Sequence, residues 1–157
     1  MEENNMLQNM QENQPGPNDN QPLAPLDPPM NNRGLCNQFA NILNGKVTDF
    51  DGDLCQVSRM RNFRQTINGR PSKAALDMDF SYESMDNQGR TLNLAEIVLR
   101  QDEVRSFMNA VTGQGLNVTA LHNHHVTDNP RLFYMHVNSI ENPTTFAQKI
   151  QRAIREF

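Results

Sequence analysis

Residues 116–138 read LNVTALHNHHVTDNPRLFYMHVN and contain all four histidines of the chain. The stretch predicts two β-strands joined by a turn, with the second strand starting after Asn129-Pro130. Side chains alternate between the two faces of an extended chain, so His122 and His124 point to the same side. His125 points away from them or already belongs to the turn. Two imidazoles on one face make half of a metal site.

The second strand supplies a further histidine, His136. If the two strands pair antiparallel with His122 opposite His136, their Cβ atoms lie roughly 4.5 to 5.5 Å apart, within reach of one cation. This register also predicts an apolar opposite face, which groups Leu121 with Phe133, Met135 and Val137.

Three imidazoles leave the fourth position of a zinc ion for water or substrate. We therefore predict a metal site formed by His122, His124 and His136, with a divalent transition metal as cofactor and zinc as the first choice. Neutral imidazole nitrogens also suit nickel, copper and iron. His125 is the alternative third ligand if the first strand is bulged near the turn.

Glu96 is the candidate catalytic residue. The surrounding segment, 92–99, is apolar on both faces apart from Glu96 and Asn93, and an unpaired buried carboxylate is strongly unfavourable. Glu96 therefore needs a cation, a hydrogen-bonding partner or a raised pKa, unless its side of the strand faces water. As part of the site, it would serve as the fourth metal ligand or as the base that moves a proton.

Two further residues are candidates for binding substrate. Tyr134 lies one alternation step from His136 on the same face, and Arg131 precedes it at the start of the strand. The alternatives are an interfacial aromatic ring and a charge that flanks the turn. Farther upstream, spaced arginines either bind an anionic substrate group or guard an exposed strand edge: Arg59, Arg61, Arg64 and Arg70.

The overall charge of −4 argues against nucleic-acid binding, which needs a basic face to displace counterions from phosphates. The chain starts without a basic region followed by an apolar run, and no stretch approaches the ~20 apolar residues that cross a membrane. We therefore predict a soluble cytoplasmic protein that binds neither nucleic acid nor a membrane.

Composition divides the chain in two. Residues 1–32 are dominated by Asn, Gln and Pro and contain no Lys or Arg, which predicts a disordered tail. Its alternative role is a partner-binding or coat-anchoring arm, in which case the remainder serves as an assembly unit. Residues 33–157 form a single predicted domain.

Cys36 and Cys55 are too few for a disulfide framework and lack CxxC spacing. Cys55 lies in an apolar strand and Cys36 near a helix start, so we expect buried free thiols. The alternative is a single disulfide in an exported protein.

Hydrophobic periodicity predicts an α+β fold, an antiparallel β-sheet built from hairpins with about three helices packed on one side of it. Helices are expected from Leu35 to Gly45, over 104–111, and from the cap Asn142 with Pro143 in the first turn. The clearest strand is 76–83, where Leu, Met, Phe and Tyr alternate with polar residues. Other strands are predicted at 46–50, 54–60 and 92–99.

Several of these segments resemble one known family. Residues 118–124 (VTALHNH), Pro130-Arg131 and 134–136 (YMH), with 96–99 and 102–104 upstream, resemble the LppY/LpqO family of bacterial proteins of unknown function. The resemblance extends over nearly everything from Leu35 to Ile154, and an acidic residue of the family's pattern matches Glu96. It implies no established activity. Some members look exported or lipid-anchored and some carry the domain twice, so the single copy here leads us to expect a homodimer.

The histidine spacing is also similar to the zinc arrangement of acetolactate decarboxylases and of the plant-and-prokaryote conserved domain. The chemistry of three imidazoles and a carboxylate leads us to expect a metal-binding protein, a zinc-dependent lyase or hydrolase that acts on a small polar molecule, with a carboxylate-bearing one as an option. The alternative is a non-catalytic ligand-binding or structural module in which the same pocket holds a ligand or packs the sheet.

Overall fold

A computed structural model describes residues 32–125 and 129–155. The predicted tail therefore lies outside the described residues, except for Asn32, with which the first helix begins. Among the described residues, no helix has the length and apolar character needed to cross a membrane. The elements in chain order are α1 (Asn32–Leu43), β1 (Lys46–Phe50), β2 (Cys55–Met60), β3 (Thr66–Ile67), β4 (Arg70–Pro71), a 3-10 turn (Ala74–Leu76), β5 (Asp77–Glu83), β6 (Thr91–Arg100), α2 (Val104–Thr112), β7 (Asn117–His122), β8 (Leu132–Glu141) and α3 (Pro143–Ile154).

Six strands form one antiparallel sheet in the order β1-β2-β5-β6-β8-β7, and β3 and β4 form a separate short hairpin. The three helices pack against one face of the large sheet, which confirms the predicted α+β class. We call this the helix face, and the opposite one the open face.

Strand alternation builds the core on the helix face. Met78, Phe80 and Tyr82 of β5 are buried, as the pattern of this strand predicts. The ring of Phe39 in α1 meets that of Tyr82 edge to face, with centroids 5.2 Å apart. The matching positions of β6 and β8 are also buried, so one continuous apolar layer separates the sheet from the helices.

A disulfide joins α1 to β2. The sulfur atoms of Cys36 and Cys55 are bonded, and both residues are fully buried. Their predicted burial is therefore confirmed, but the expectation of free thiols is wrong. Packing of α1 beside β2 brings the two Cα atoms to 5.6 Å, inside the range that a disulfide spans.

The connection between β2 and β5, residues 61–76, crosses one end of the open face. Arg61 forms a two-pronged ion pair with Glu103, at 2.8 and 2.9 Å, and donates a hydrogen bond to the carbonyl of Val98. The hydroxyl of Tyr134 donates to the carbonyl of Ala75. Of the predicted basic segment, Arg61 thus fastens this connection to β6 and to the start of α2.

The strands β7 and β8 pair as predicted, but in another register. Ala120 lies opposite His136 and His122 lies opposite Tyr134, with an irregularity at Thr119. The predicted pairing of His122 with His136 is therefore wrong by two positions. A β-bulge between Val118 and Ala120 accounts for one further position of register change along the edge strand. A two-residue shift keeps every side chain on its predicted face, so the histidines still converge.

The predicted apolar side of this hairpin is only partly correct. Met135 and Val137 are buried in the core, but Leu121 is 39% exposed. Leu121 lies near the end of β7, which is an edge strand of the sheet in the described part of the chain.

Candidate metal centre

Three neighbouring strands bring the predicted site together on the open face. Glu96 of β6 lies directly opposite His136 of β8. His122 ends β7, the edge strand on the other side of β8, and His124 follows two residues later. Alternation places the side chains of Glu96, His136 and His122 on the face away from the helices. The chain after β7 brings His124 to the same cluster.

The ring nitrogens of the three histidines converge. Nε2 of His122 and Nε2 of His136 are 2.9 Å apart. One ligand atom from each of His122, His124 and His136 lies within 4.8 Å of the others. The structure therefore groups the three predicted ligands and leaves out His125, whose ring centroid is 6.4 Å from that of His124.

A carboxylate completes the cluster. Oε2 of Glu96 lies 3.1 Å from Nε2 of His136 and 3.7 Å from Nε2 of His124. Ligand atoms about 2.0–2.1 Å from a tetrahedral zinc ion are separated from one another by about 3.4 Å. The donor set and these spacings suit such an ion, with Glu96 at or beside the fourth position.

The ring of Tyr134 packs against the imidazole of His124. Its ring stacks on the imidazole, with centroids 3.7 Å apart and planes 4° from parallel. Its hydroxyl is occupied by the carbonyl of Ala75 at 2.8 Å, and burial, followed by the charge of Glu96, raises the pKa of Tyr134. This geometry makes Tyr134 a platform for a histidine, while its predicted contact with substrate stays a prediction.

Two polar side chains hold the hairpin that carries the histidines. The side-chain amide of Asn123 donates to the carbonyl of Leu132. The hydroxyl of Thr119, at the bulge, donates to the carbonyl of His136 at 3.3 Å. Both bonds tie β7 and the residues after it to β8, so the imidazoles have a defined backbone support.

The local electrostatics favour a neutral imidazole at His124. Burial lowers the pKa of His124, and the neighbouring histidines lower it further, whereas the negative charge of Glu96 acts in the opposite direction. A metal ion binds the neutral form of histidine, because the ligand nitrogen must carry a free electron pair.

A groove of about 450 Å³ runs across the open face beside the cluster. Glu96, His136 and Thr119 belong to its wall at the metal end. At the far end it reaches β1, where Thr48 sits at a second bulge. Bulges re-aim side chains, and each edge strand here turns a threonine toward the groove. The other lining residues are Gln56, Val57, Asp79, Phe80, Ser81, Leu94, Ala95 and Val137.

Asp79 is a groove residue that the sequence reasoning missed. It lies opposite Glu96 across the β5–β6 pair. Burial raises the pKa of Asp79, and the charges of Asp77 and Glu96 raise it further. The strict alternation of 76–83 places Asp79 on the polar face, but its position opposite Glu96 depends on strand register.

Arg131 is exposed beside the turn at Pro130, just before β8 begins. Its predicted role in binding substrate stays a prediction.

The fold and the site define a class: an α+β domain with a three-histidine, one-carboxylate cluster at the head of a polar groove. The chain belongs to the family described as Domain of Unknown Function (DUF1259), whose profile matches residues 37–156. Neither a search of curated proteins nor a search of solved structures found a match.

Proposed function

We propose that this protein binds one divalent transition metal, with zinc as the first choice, through His122, His124 and His136. The bound metal serves a lyase or hydrolase reaction on a small polar molecule that occupies the neighbouring groove. We also propose that the DUF1259 family here corresponds to the LppY/LpqO family, which the motifs resemble.

One observation carries the proposal: three imidazole nitrogens and one carboxylate oxygen converge on the solvent-accessible side of a sheet. Histidines with a purely structural role usually donate a hydrogen bond to a backbone carbonyl or lie apart from one another in the sheet. Here two Nε2 atoms face each other at 2.9 Å, a separation that either a shared proton or a shared cation explains.

The chemistry follows from the types of residue. A metal held by three neutral imidazoles supplies a Lewis acid that polarises a carbonyl or activates water. The carboxylate of Glu96 lies within proton-transfer reach of the same point and accepts or returns the proton. Tyr134 keeps the ring of His124 in place, and Asn123 keeps the chain that carries it against β8.

A second function is favoured by the position of Glu96. Because its Oε2 atom is near two of the histidine nitrogens, it can occupy the fourth metal position and close the site. A closed four-ligand site is structural, and the domain would then be a non-catalytic binding or structural module. A crystal structure of the zinc-loaded protein separates the two: as the fourth ligand, Glu96 would place a carboxylate oxygen about 2.0–2.2 Å from the zinc, whereas a catalytic Glu96 would leave that position to water.

Two sequence-based expectations, the homodimer and the cytoplasmic location, remain proposals. The Cys36–Cys55 disulfide favours an oxidising compartment over the cytoplasm, in which thiols are kept reduced. Alkylation during lysis directly into denaturant tests the location, because both cysteines are buried in the folded protein: cytoplasmic protein would carry two labels and oxidised protein none. The mass in gel filtration tests the dimer.

The decisive experiment for the metal is its stoichiometry in protein purified without an affinity tag. After zinc loading and gel filtration, we expect about one zinc per chain, because three imidazoles form one site. His136→Ala should lose the zinc, whereas the matched control His125→Ala, which removes a histidine outside the cluster, should retain it. Less than about a tenth of an equivalent in the unmodified protein would overturn the proposal.

A further inference from the structure

We infer that the groove beside the three-histidine cluster selects a small molecule with a positively charged nitrogen roughly 5 Å from its metal-bound group, with Asp79 as the residue that recognises the charge. This inference rests on the proposed function, because it concerns the substrate class of the same site. It replaces the carboxylate-bearing substrate expected from the sequence.

The charges of the residues that line the groove determine which ligand charge it favours. Its lining includes two carboxylates, Asp79 and Glu96, and no lysine or arginine belongs to the lining that the described residues form. Away from the metal itself, a substrate carboxylate would therefore meet like charge and find no cationic side chain of the lining to pair with. The neutral part of the lining supplies hydroxyl and amide groups, which suit a polar molecule of either neutral or positive charge: Thr48, Gln56, Ser81 and Thr119.

The carboxylate of Asp79 is available to pair with a cationic group of the ligand. Among the described residues, no cationic side chain pairs with its carboxylate, and its nearest charged neighbours are acidic. Like charges directly opposite each other on a sheet are unfavourable. Glu103 shows the contrast, because its buried carboxylate is paired with Arg61 and Arg100. A metal at the histidines offsets the charge of Glu96, which leaves Asp79 as the unpaired anion of the groove.

Strand spacing sets the distance. Neighbouring strands lie about 4.8 Å apart, and Asp79, Glu96 and His136 form one row across β5, β6 and β8. The carboxylate of Asp79 is thus one strand away from Glu96, which borders the metal position. A ligand that spans this interval carries its cation about four bonds from the group bound to the metal, since each bond adds roughly 1.3 Å along an extended chain.

The test uses three hydroxamates that chelate zinc through the same two oxygens and differ at the far end. They are 4-aminobutanohydroxamate, which is cationic, pentanohydroxamate, which is neutral and has nearly the same shape, and glutaric monohydroxamate, which is anionic. Calorimetric titration into the zinc-loaded full chain should show the amine binding about tenfold more tightly than the neutral compound, and the acid more weakly still.

Variants assign the preference to one residue. Asp79→Asn should reduce the advantage of the amine to within about twofold, because the charge that attracts it is removed. The matched control is Asp77→Asn, which removes the same charge from the same strand and face but from a residue outside the groove lining. In this control the amine should keep its advantage.

The outcomes are separable because zinc content is measured before each titration. If the chain binds zinc but the three compounds bind equally, or if none binds, the substrate class is wrong and the metal site stands. A second zinc equivalent that Asp79→Asn removes would also overturn the inference, since the carboxylates would then serve an ion. If the chain binds no zinc, the proposed function itself is wrong and the inference falls with it.

Discussion

The two faces of one sheet differ in what their residues do. On β6 and β8, Ala95 and Ile97 point to the helices with Met135 and Val137 and are buried. The intervening residues Glu96 and His136 point the other way, lie opposite each other, and remain partly exposed. Successive residues of the same strand thus serve the core and the site.

Stability and chemistry are thus placed on different faces of the same sheet. The helix face is apolar and carries the disulfide, and the connection over one end of the open face is fastened by the Arg61–Glu103 pair. The rest of the open face collects imidazoles and an unpaired carboxylate, groups that do not stabilise a fold unless a ligand joins them. Substitutions should therefore separate the two: changes to the packed regions lower stability, and changes around the groove alter binding.

The largest effect is expected from the ion pair that fastens the connection. Glu103→Gln should lower the free energy of unfolding by about 4 kcal/mol, because it leaves the mostly buried guanidinium of Arg61 without its carboxylate partner. Chemical denaturation measures the change. The control Asp102→Asn removes the neighbouring, exposed carboxylate and should change little. Equal effects of both variants would contradict this role of the pair.

The difference in stability between the two faces can be measured on β6 alone. Ile97→Ala, at a fully buried position, should lower the free energy of unfolding by about 3.5 kcal/mol. Leu94→Ala, at a position 38% exposed on the open face, should change it by no more than about 0.5 kcal/mol. Urea titrations measure both changes. If Leu94→Ala proved as destabilising as Ile97→Ala, the two faces would not differ in their contribution to stability.

The disulfide gives the next effect. Replacing Cys36 and Cys55 together by serine should lower the free energy of unfolding by about 3 kcal/mol, because the cross-link closes a loop of 19 positions in the unfolded chain. Zinc stoichiometry at the open face should not change. Two titratable thiols in the unreduced, denatured protein would show that the bond is not formed.

The smallest effect concerns acid stability. Burial acts to raise the pKa of Glu103, but hydrogen bonds from Arg61 and from the backbone of Arg100, with both positive charges, outweigh it and lower the pKa. A lowered folded-state pKa contributes stability that is present above the unfolded value, about 4.3, and is lost as the pH falls through the folded value. The stability difference between the protein and Glu103→Gln should therefore shrink in acid. A constant difference down to about pH 3 would contradict this account.

Much of the fold could be predicted because an element with one buried face has apolar residues at a fixed spacing along its sequence. The alternation at 76–83 and the cap Asn142 with Pro143 predict β5 and the start of α3, and the structure has both. The disulfide could not be derived in this way, since pairing depends on how α1 packs on β2. The Arg61–Glu103 pair was missed for the same reason, because its partners are distant in sequence and meet only through the fold.

The three histidines of the site could be predicted from the sequence, but the strand register that brings them together could not. The HxH spacing places His122 and His124 on one face in any register, so the cluster tolerated a two-residue error in pairing. The bulge at Thr119 has no clear signal in the residues around it. Asp79 depends on the register across residues 84–90, a connection longer than the two-residue turns that fix a hairpin.

The proposed site requires that three histidines from adjoining strands hold one metal ion. Anomalous scattering at the zinc absorption edge, from a crystal of the zinc-loaded protein, would locate this ion. We predict a single peak about 2.0–2.1 Å from a ring nitrogen of each of His122, His124 and His136. A map without a peak at this cluster, or with rings turned toward backbone carbonyls, would contradict the account.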